Sequence, residues 1–427
     1  ADLKQITDAQ PEGHRVAFSW DMHRDIGGHP DDVCRNPDGT ATDRRGVWWD
    51  HGVAEVRERF EAFFAEYKKS GGRLDVFVLD FEGGLSNWHI RGGDKRWPRW
   101  QAIQNDPRFD AIAKRLGFRD LKTVCYWNKQ EGDARNNYLR WNALMHERVA
   151  DYVNRAVYEP IAKHYPDVVM SNYGDYHHDR RFAAPDGNGH RHHLFGEGAH
   201  VGTHQSQALY ASFGQLRRKK LDGENAYART PFNGFRYSVN RMRAMELASD
   251  VPTQPWLSHK AFEGSLVRES DLYQELILHV ALSGADSFLL WNPGTWKEGQ
   301  DPTFWTSDAQ ERLFSRCLAR ANELIGYSGR EPLFDDLVPW GSSFVLAGMK
   351  AGGRTVWRLT PETVAGEGAP EAMVTDTGIA FKLPDATIVF AGGELHSPEK
   401  PVSDHGWWIV APLDCEPRVT KQDAGGD

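Results

Sequence analysis

Strand-forming apolar runs alternate with amphipathic helices through roughly the first 330 residues of the chain, and this alternation restricts the fold more than any other feature. Val16 to Trp20 reads as a strand. Val53 to Lys69 then places Val53, Val56, Phe60, Phe63, Phe64 and Tyr67 at helical spacing, and Gly71-Gly72 stops the helix. A second strand follows at Val76-Phe77-Val78-Leu79-Asp80-Phe81-Glu82, ending in Gly83-Gly84. Tyr138 to His164 predicts a long helix, with Pro160 placed to kink its last turn. Strands are predicted at Val168–Tyr173, Ala208–Phe213, Pro255–Ser258 and Ser287–Trp291, and helices at Phe235–Ala248, Asp271–Ser283 and Gln310–Ile325. The pattern fits a (β/α) barrel or a doubly wound sheet. No GxGxxG follows an early strand and no P-loop is present, so dinucleotide and nucleotide binding lose support.

After about residue 332 the texture changes to short strands between Gly, Pro and Asp turns. They fall at Phe344–Ala347, Thr355–Leu359, Ile379–Leu383, Ala386–Phe390 and Trp407–Ala411. The expected organisation is a distorted (β/α)8-like TIM barrel over residues 1–330, then a β-sandwich-like antiparallel domain over 331–415. A polar, loose tail is expected over 416–427.

The strand ending in Asp80 and Glu82 carries the chemistry. Side chains alternate along a strand, so these carboxylates share one face, at the end where barrel enzymes gather their catalytic groups. Two carboxylates held together do not both ionise easily, so one keeps its proton. An acid beside an ionised partner suits cleavage of a glycosidic bond. The plainer alternative is a strand end whose acids accept backbone N–H groups or pair with an Arg.

Other features bound the function. The net charge of −9 gives no basic footprint for nucleic acid, and no apolar run approaches membrane-spanning length. The 16 Trp serve cores by default, although sugar-binding clefts use their flat faces too. Cys34, Cys125, Cys317 and Cys415 lie far apart and form no CxxC pair. His177, His178, His190, His192, His193, His200 and His204 crowd the long stretch 174–206, which is read as functional or disordered. None has HExxH spacing, so solvated histidines, or ones lining a substrate entrance, are expected rather than a metal site. No cofactor is implied. The start at Ala1 fits a mature secreted or periplasmic chain, or a trimmed one.

Several segments, in order, resemble the hyaluronidase family of glycoside hydrolases. They are Asp80-Phe81-Glu82 with Trp88 beyond it, His164-Tyr165-Pro166 through Ser171-Asn172-Tyr173-Gly174-Asp175-Tyr176, and Gln207-Ala208-Leu209-Tyr210-Ala211-Ser212. The helix Phe235–Ala248 with Val239-Asn240-Arg241 and Ala244 follows, then Asp271-Leu272 through Gly284-Ala285-Asp286 to Leu289-Leu290-Trp291. The resemblance spans roughly residues 16 to 325 and implies a distorted barrel with a retaining, substrate-assisted mechanism. It implies Glu82 as general acid/base and Asp80 as the group that orients a substrate acetamido nucleophile. It also implies a disulfide between Cys34 and Cys317. The chain departs from the family at Gly83-Gly84-Leu85-Ser86, where members carry an aromatic and an Arg, and near Phe213-Gly214, where they carry a second Tyr.

Tyr173, Tyr176, Trp291, Asn292, Trp20 and Asp21 lie at or beyond strand ends and are candidate substrate-binding residues. The expected partner is a polysaccharide or oligosaccharide, with Arg91, Lys95, Arg96 and Arg99 available for a basic groove. A glycosidase for a different polysaccharide, a non-catalytic carbohydrate-binding protein on a barrel scaffold, and a metal-dependent hydrolase using the His stretch are the alternatives. The residues leave oligomeric state open.

Overall fold

The computed structural model describes residues 3–8, 10, 12–13, 15–21, 29–45, 49–80, 98–115, 117, 147–173, 201–206, 209, 231–248, 251–257, 270–290, 307–333, 342–362, 372–396 and 406–421. They divide into two compact units. The first comprises residues 1–208 with 247–254, the second 209–246 with 255–427. The division thus runs through the span expected as one barrel.

In the first unit, a short helix α1 (Leu3–Asp8) precedes strand β1 (Ala17–Asp21) and the hairpin β2 (Val33–Arg35) and β3 (Ala41–Arg45). Helix α2 (Val53–Lys69) then leads to β4 (Val76–Asp80). It buries Val53, Val56, Phe64 and Tyr67 on one stripe, with Phe60 half-buried, whereas Phe63, which the spacing places with them, is exposed. Its end is a Schellman turn. Gly71 takes φ +84°, the Gly72 amide bonds the Tyr67 carbonyl at 2.9 Å and the Gly71 amide bonds that of Lys68 at 3.0 Å. A side chain at Gly71 would be strained in that conformation.

Helices α3 (Pro98–Asn105) and α4 (Pro107–Arg115) pack beside the hairpin. Buried Asp106 ties them together, accepting from the Arg35 amide at 2.7 Å and from the Arg108 guanidinium, which itself reaches the Val33 carbonyl at 2.6 Å. A helix through residues 147–164, α5, precedes β5 (Val169–Tyr173). Pro160 was expected to kink its last turn. Instead the helix widens one turn earlier into a π-turn at Asn154–Tyr158, where the Glu159 amide bonds the Asn154 carbonyl. The cause is local, because Pro160 offers no N–H to the carbonyl four residues back.

Strands β1, β4 and β5 form a three-stranded parallel sheet in the order β1-β4-β5. Phe18, Trp20, Phe77, Leu79 and Met170 face α2 and α5 and make this unit's core with Phe64, Tyr67, Tyr152 and Val157. The polar backs of the two helices are laced by ion pairs, among them Arg155 to Asp50 at 2.9 Å and Arg57 to Glu159 at 2.5 Å.

The second unit contains α6 (Pro231–Ala248), β6 (Trp256–Leu257), α7 (Ser270–Leu282), β7 (Leu289–Leu290) and α8 (Ser307–Ile325). Strands β6 and β7 pair in parallel. The described parallel strands therefore lie in sheets of three and two, short of the eight-stranded closure expected from the sequence.

The rest of this unit is antiparallel. A five-stranded sheet runs β14 (Glu394–His396), β15 (Trp407–Pro412), β10 (Arg354–Pro361), β9 (Phe344–Ala351), β8 (Glu331–Leu333). A four-stranded sheet runs β11 (Ala372–Thr375), β12 (Gly378–Lys382), β13 (Ala386–Ala391), β16 (Arg418–Lys421). Alternate residues of the larger sheet serve two cores. Val345, Ala347, Met349 and Val356 pack with the helices, while Trp357, Leu359 and Ile409 pack with Ile379, Phe381, Ile388 and Phe390 of the smaller sheet. The polar segment after Glu416, expected to be loose, carries β16, which pairs with β13 through Val389↔Arg418 and Ala386↔Lys421.

The helix side of the larger sheet also encloses charge. Arg358 on β10 forms a two-pronged pair with Glu275 on α7, and its Nε donates to Glu275 Oε2 at 2.9 Å. Both are buried, and the pair, with hydrogen bonds from Arg358 and Thr360, holds the Glu275 carboxyl below its ordinary range against the opposing push of burial. Buried Arg236 and Arg243 of α6 donate to the carbonyls of Ser342 and Leu346. The Arg-rich helix of the family resemblance is thus anchored to the β layers by its arginines.

The resemblance implies a Cys34–Cys317 disulfide, and the structure overturns it. Cys34, Cys317 and Cys415 are free thiols. Cys34 is sealed beside Asp106 and Arg108 in the first unit, and Cys317 beside Tyr273 in the helical core of the second. Burial pushes each of these two thiols up to about 12.

Candidate active site

The strand register assembles the site. In the first unit, Asp21 of β1 lies opposite Asp80 of β4, which lies opposite Tyr173 of β5. All three are the last residues of their strands. One full period below, Ser19, Val78 and Ser171 form the preceding row. Phe18, Trp20, Phe77, Leu79 and Met170 face the helices, so residues of the other parity belong to the opposite face. Asp21, Asp80 and Tyr173 therefore occupy register positions of the parity opposite to the one that packs on α2 and α5, at the C-terminal ends of their strands.

Beneath this row, the positions on β4 and β5 are buried while Ser19 on β1 is exposed. Ser171 is fully buried, Val78 is buried, and the Ser171 Oγ has no hydrogen-bond partner among the described residues.

Trp20 has the other parity. It was expected at the mouth beside Asp21, but its ring lies edge-on to Phe60 of α2, with centroids 4.5 Å apart. There it lines, with Phe18, Phe60 and Phe63, a hollow of about 480 Å³ beside β1. The reason is parity, since neighbours on a strand occupy opposite faces.

Glu82, Tyr176, Trp291 and Asn292 lie outside the described residues, as do Arg91, Lys95 and Arg96. Arg99 falls in α3. Of the crowded histidines, only His204 is described, and its Nδ1 meets Thr203 Oγ1 at 2.8 Å. Among the described residues, no group of three or more His, Cys, Asp or Glu is placed to hold a metal ion. None of their helices is long and apolar enough to cross a membrane.

Sequence reasoning missed a second polar cluster in this unit. Because α2 connects parallel strands, its N-terminus returns to the end of the sheet where Asp21 and Asp80 sit. Fully buried Asp32 meets it there, its Oδ2 accepting from the Gly52 amide at 3.0 Å. The His29 and His51 rings stack beside it, with centroids 5.8 Å apart. Burial pushes the Asp32 carboxyl up, opposed by the Gly52 and His51 amides and the neighbouring imidazoles. The only signal in the sequence was an acid some 20 residues ahead of a helix start with Gly52 in the capping position, which is no signature of its own.

No family model matches the chain, and no curated protein does. Solved structures do match it. An Anoxybacillus alpha-amylase is 12% identical, with 86% of this chain and 80% of that chain covered, at TM-score 0.28. Endo-glycoceramidase II from Rhodococcus sp. is 13% identical over 95% of this chain and 87% of that chain, at TM-score 0.26. A conserved exported protein from Bacteroides fragilis is 9% identical over 94% of this chain and 85% of that one, at TM-score 0.30. Likeness at these scores carries no argument about the fold or reaction of this chain.

Proposed function

We propose that the chain is a glycoside hydrolase that cleaves a polysaccharide containing N-acetylhexosamine by a retaining, substrate-assisted route. The observation that carries the reading is the row Asp21, Asp80, Tyr173 at the ends of three parallel strands, continued in sequence by Phe81-Glu82-Gly83-Gly84. Acids at the carboxyl ends of parallel strands are the usual source of catalytic groups in α/β enzymes.

In this reading Glu82 protonates the leaving oxygen and then activates water. Asp80 orients the acetamido group and stabilises the positive charge that develops on it. Carboxylates on one strand flank a glycosidic bond poorly, which favours an internal nucleophile over direct attack by Asp80. Tyr173, Tyr176, Asp21, Trp291 and Asn292 bind sugar hydroxyls and the ring face. Gly83-Gly84 in place of an aromatic and an Arg argues against a uronate-rich chain such as hyaluronan as the preferred substrate.

The test is a glycan panel with reducing-end detection. Release of new ends from an N-acetylhexosamine polysaccharide, with inhibition by a thiazoline, is the expected result. Binding without cleavage across the panel would sink the reading in favour of a carbohydrate-binding protein. Cleavage only of glycans lacking a 2-acetamido group would remove the assisted route.

A further inference from the structure

We propose that Arg320 on α8, with Arg354 and His396 beside it, forms a binding site for a small doubly charged oxyanion, a phosphate or sulfate group. All three residues belong to the second unit, and the site lies between α8 and the β14 end of the larger sheet. It does not rest on the glycosidase reading.

One edge of the Arg320 guanidinium carries the argument. The Nε–H and Nη2–H of an arginine point the same way and match two oxygens of a single oxyanion. Elsewhere the chain closes this edge on its own carboxylates. Arg358 sends Nε and Nη2 to the two oxygens of Glu275. Arg108 sends Nε to Asp106 Oδ1 at 3.0 Å and Nη2 to Oδ2 at 2.6 Å. Arg320 has the same two nitrogens shielded from solvent, yet neither has a hydrogen-bond partner among the described residues. Among those residues it is the one arginine with both nitrogens of this edge in that state. Its remaining nitrogen, Nη1, donates to Glu323. Two buried N–H groups of a cation are costly without an acceptor, and an oxyanion supplies both acceptors and the opposite charge.

Neighbouring elements add positive charge. Cys317, Ala321 and Leu324 are buried along α8, and Arg320 stands one turn before Leu324 on the flank of that stripe. On the sheet, Val356 and Trp408 pack with the helices, and the register gives Arg354 on β10 and His396 on β14 the same parity. Arg354 reaches the end of α8, where its Nη2 donates to the Leu324 carbonyl at 3.2 Å. Burial pushes the His396 imidazole down, and Arg320 and Arg354 press it further, against the pull of Glu323. The acids of these elements are Glu323, which takes Nη1 of Arg320, and exposed Glu394, two residues before His396. Neither meets the Nε and Nη2 of Arg320. Arg320 keeps 14% of its side chain exposed and Glu323 60%, so the site lies at the margin of the seam between helix and sheet, where a small ion arrives from solvent. Three cationic groups about one open edge favour a dianion over a monoanion.

The experiment titrates sodium phosphate and sodium sulfate into the full chain by calorimetry, with ionic strength held constant by sodium chloride. The wild type is expected to bind. Arg320→Met keeps the packing of the stem and removes the fork, and affinity is expected to fall about tenfold or more. A second readout decides the matter if that variant does not fold. The imidazole C–H resonance of His396, assigned by its loss in His396→Gln, is followed through pH with and without sulfate. Bound sulfate is expected to raise the His396 midpoint by about half a pH unit or more, because a neighbouring anion favours the charged ring. Absence of binding heat together with an unchanged His396 midpoint overturns the proposal, as does equal binding by the wild type and Arg320→Met. A His396 response to chloride that matches the response to sulfate also overturns it, since it shows an adventitious ion only. A sulfated monosaccharide, compared with its unsulfated parent, separates the sources of the anion. Binding of the sulfated sugar supports a site for an esterified oxyanion, and binding of inorganic sulfate alone supports a site for the free ion.

Discussion

Replacing His279 by Gln is expected to remove a defined part of the protein's acid sensitivity. His279 is fully buried on α7 with its Nε2 2.9 Å from Thr360 Oγ1. The Thr360 hydroxyl donates its proton to Glu275 Oε2 at 2.7 Å. It can therefore only accept from the imidazole, which fixes a proton on Nε2, and the buried Nδ1 has no partner among the described residues that would favour a second one. Burial pushes this imidazole down to about 3; Glu275 pulls it up, and Arg243 and Arg358 press it down again. In the unfolded chain it titrates near 6.5. Below that pH the unfolded state takes up a proton that the native state refuses, so stability is lost as pH falls from about 6.5 toward 3. At pH 5 the loss from this one residue comes to about 2 kcal/mol relative to pH 8. The figure is insensitive to the native value, since the ring stays neutral at pH 5 whether its midpoint is near 3 or near 4. Gln keeps a donor for Thr360 and does not titrate. Urea unfolding followed by fluorescence, at pH 8 and pH 5, should show the wild type losing about 2 kcal/mol more than His279→Gln. Carboxylate contributions are common to both and cancel. Equal losses would show that His279 is not held neutral.

The remaining expectations are brief. Arg358→Met leaves Glu275 buried without its partner and should cost about 3–5 kcal/mol, whereas adding Glu275→Leu should recover most of that; a double variant no more stable than the single one argues against the pair. Cys34 and Cys317 should react with a thiol reagent only as fast as the protein opens, and peptide mapping of unreduced denatured protein should find both free; a Cys34–Cys317 linked peptide would reinstate the disulfide. Glu82→Gln should lower any glycan-cleaving rate by about 10² or more with the fold intact, and unchanged turnover in pure protein would take Glu82 out of the mechanism.

The helices were legible because their signals are local. The apolar stripe of α2 and its Gly71-Gly72 stop gave the span Val53–Lys69 to the residue. Elements held by distant partners were not. The β2–β3 hairpin lacks a hydrophobic alternation and depends on Asp106 and Arg108, some 70 residues away. Strand β16 is exposed along its length and exists because the edge of β13 is open to it. A polar run beside such an edge looks the same as a loose tail until the edge is known. The role of the buried arginines of α6 was likewise not legible, since Arg spacing does not distinguish a surface charge from a tie to a neighbouring carbonyl.

The site was half legible, and the dividing line is strand parity. Alternation placed Asp80 on one face from sequence alone, and the register then joined it to Asp21 and Tyr173. The same rule separates Trp20 from Asp21, yet both lie at a strand end, and proximity to the end was given more weight than parity. Which face is which could not be read from β1 by itself. Its residues are Ala17, Phe18, Ser19, Trp20 and Asp21, and an aromatic pair can serve a core or a sugar. The packing of Trp20 on Phe60 settles the matter, because it assigns the aromatic parity to the helices and leaves Ala17, Ser19 and Asp21 to the other face. With the aromatic parity given to the helices, the β1 residue in register with Asp80 is Asp21, so any group that β1 contributes beside Asp80 comes from the acid and not from its aromatic neighbour.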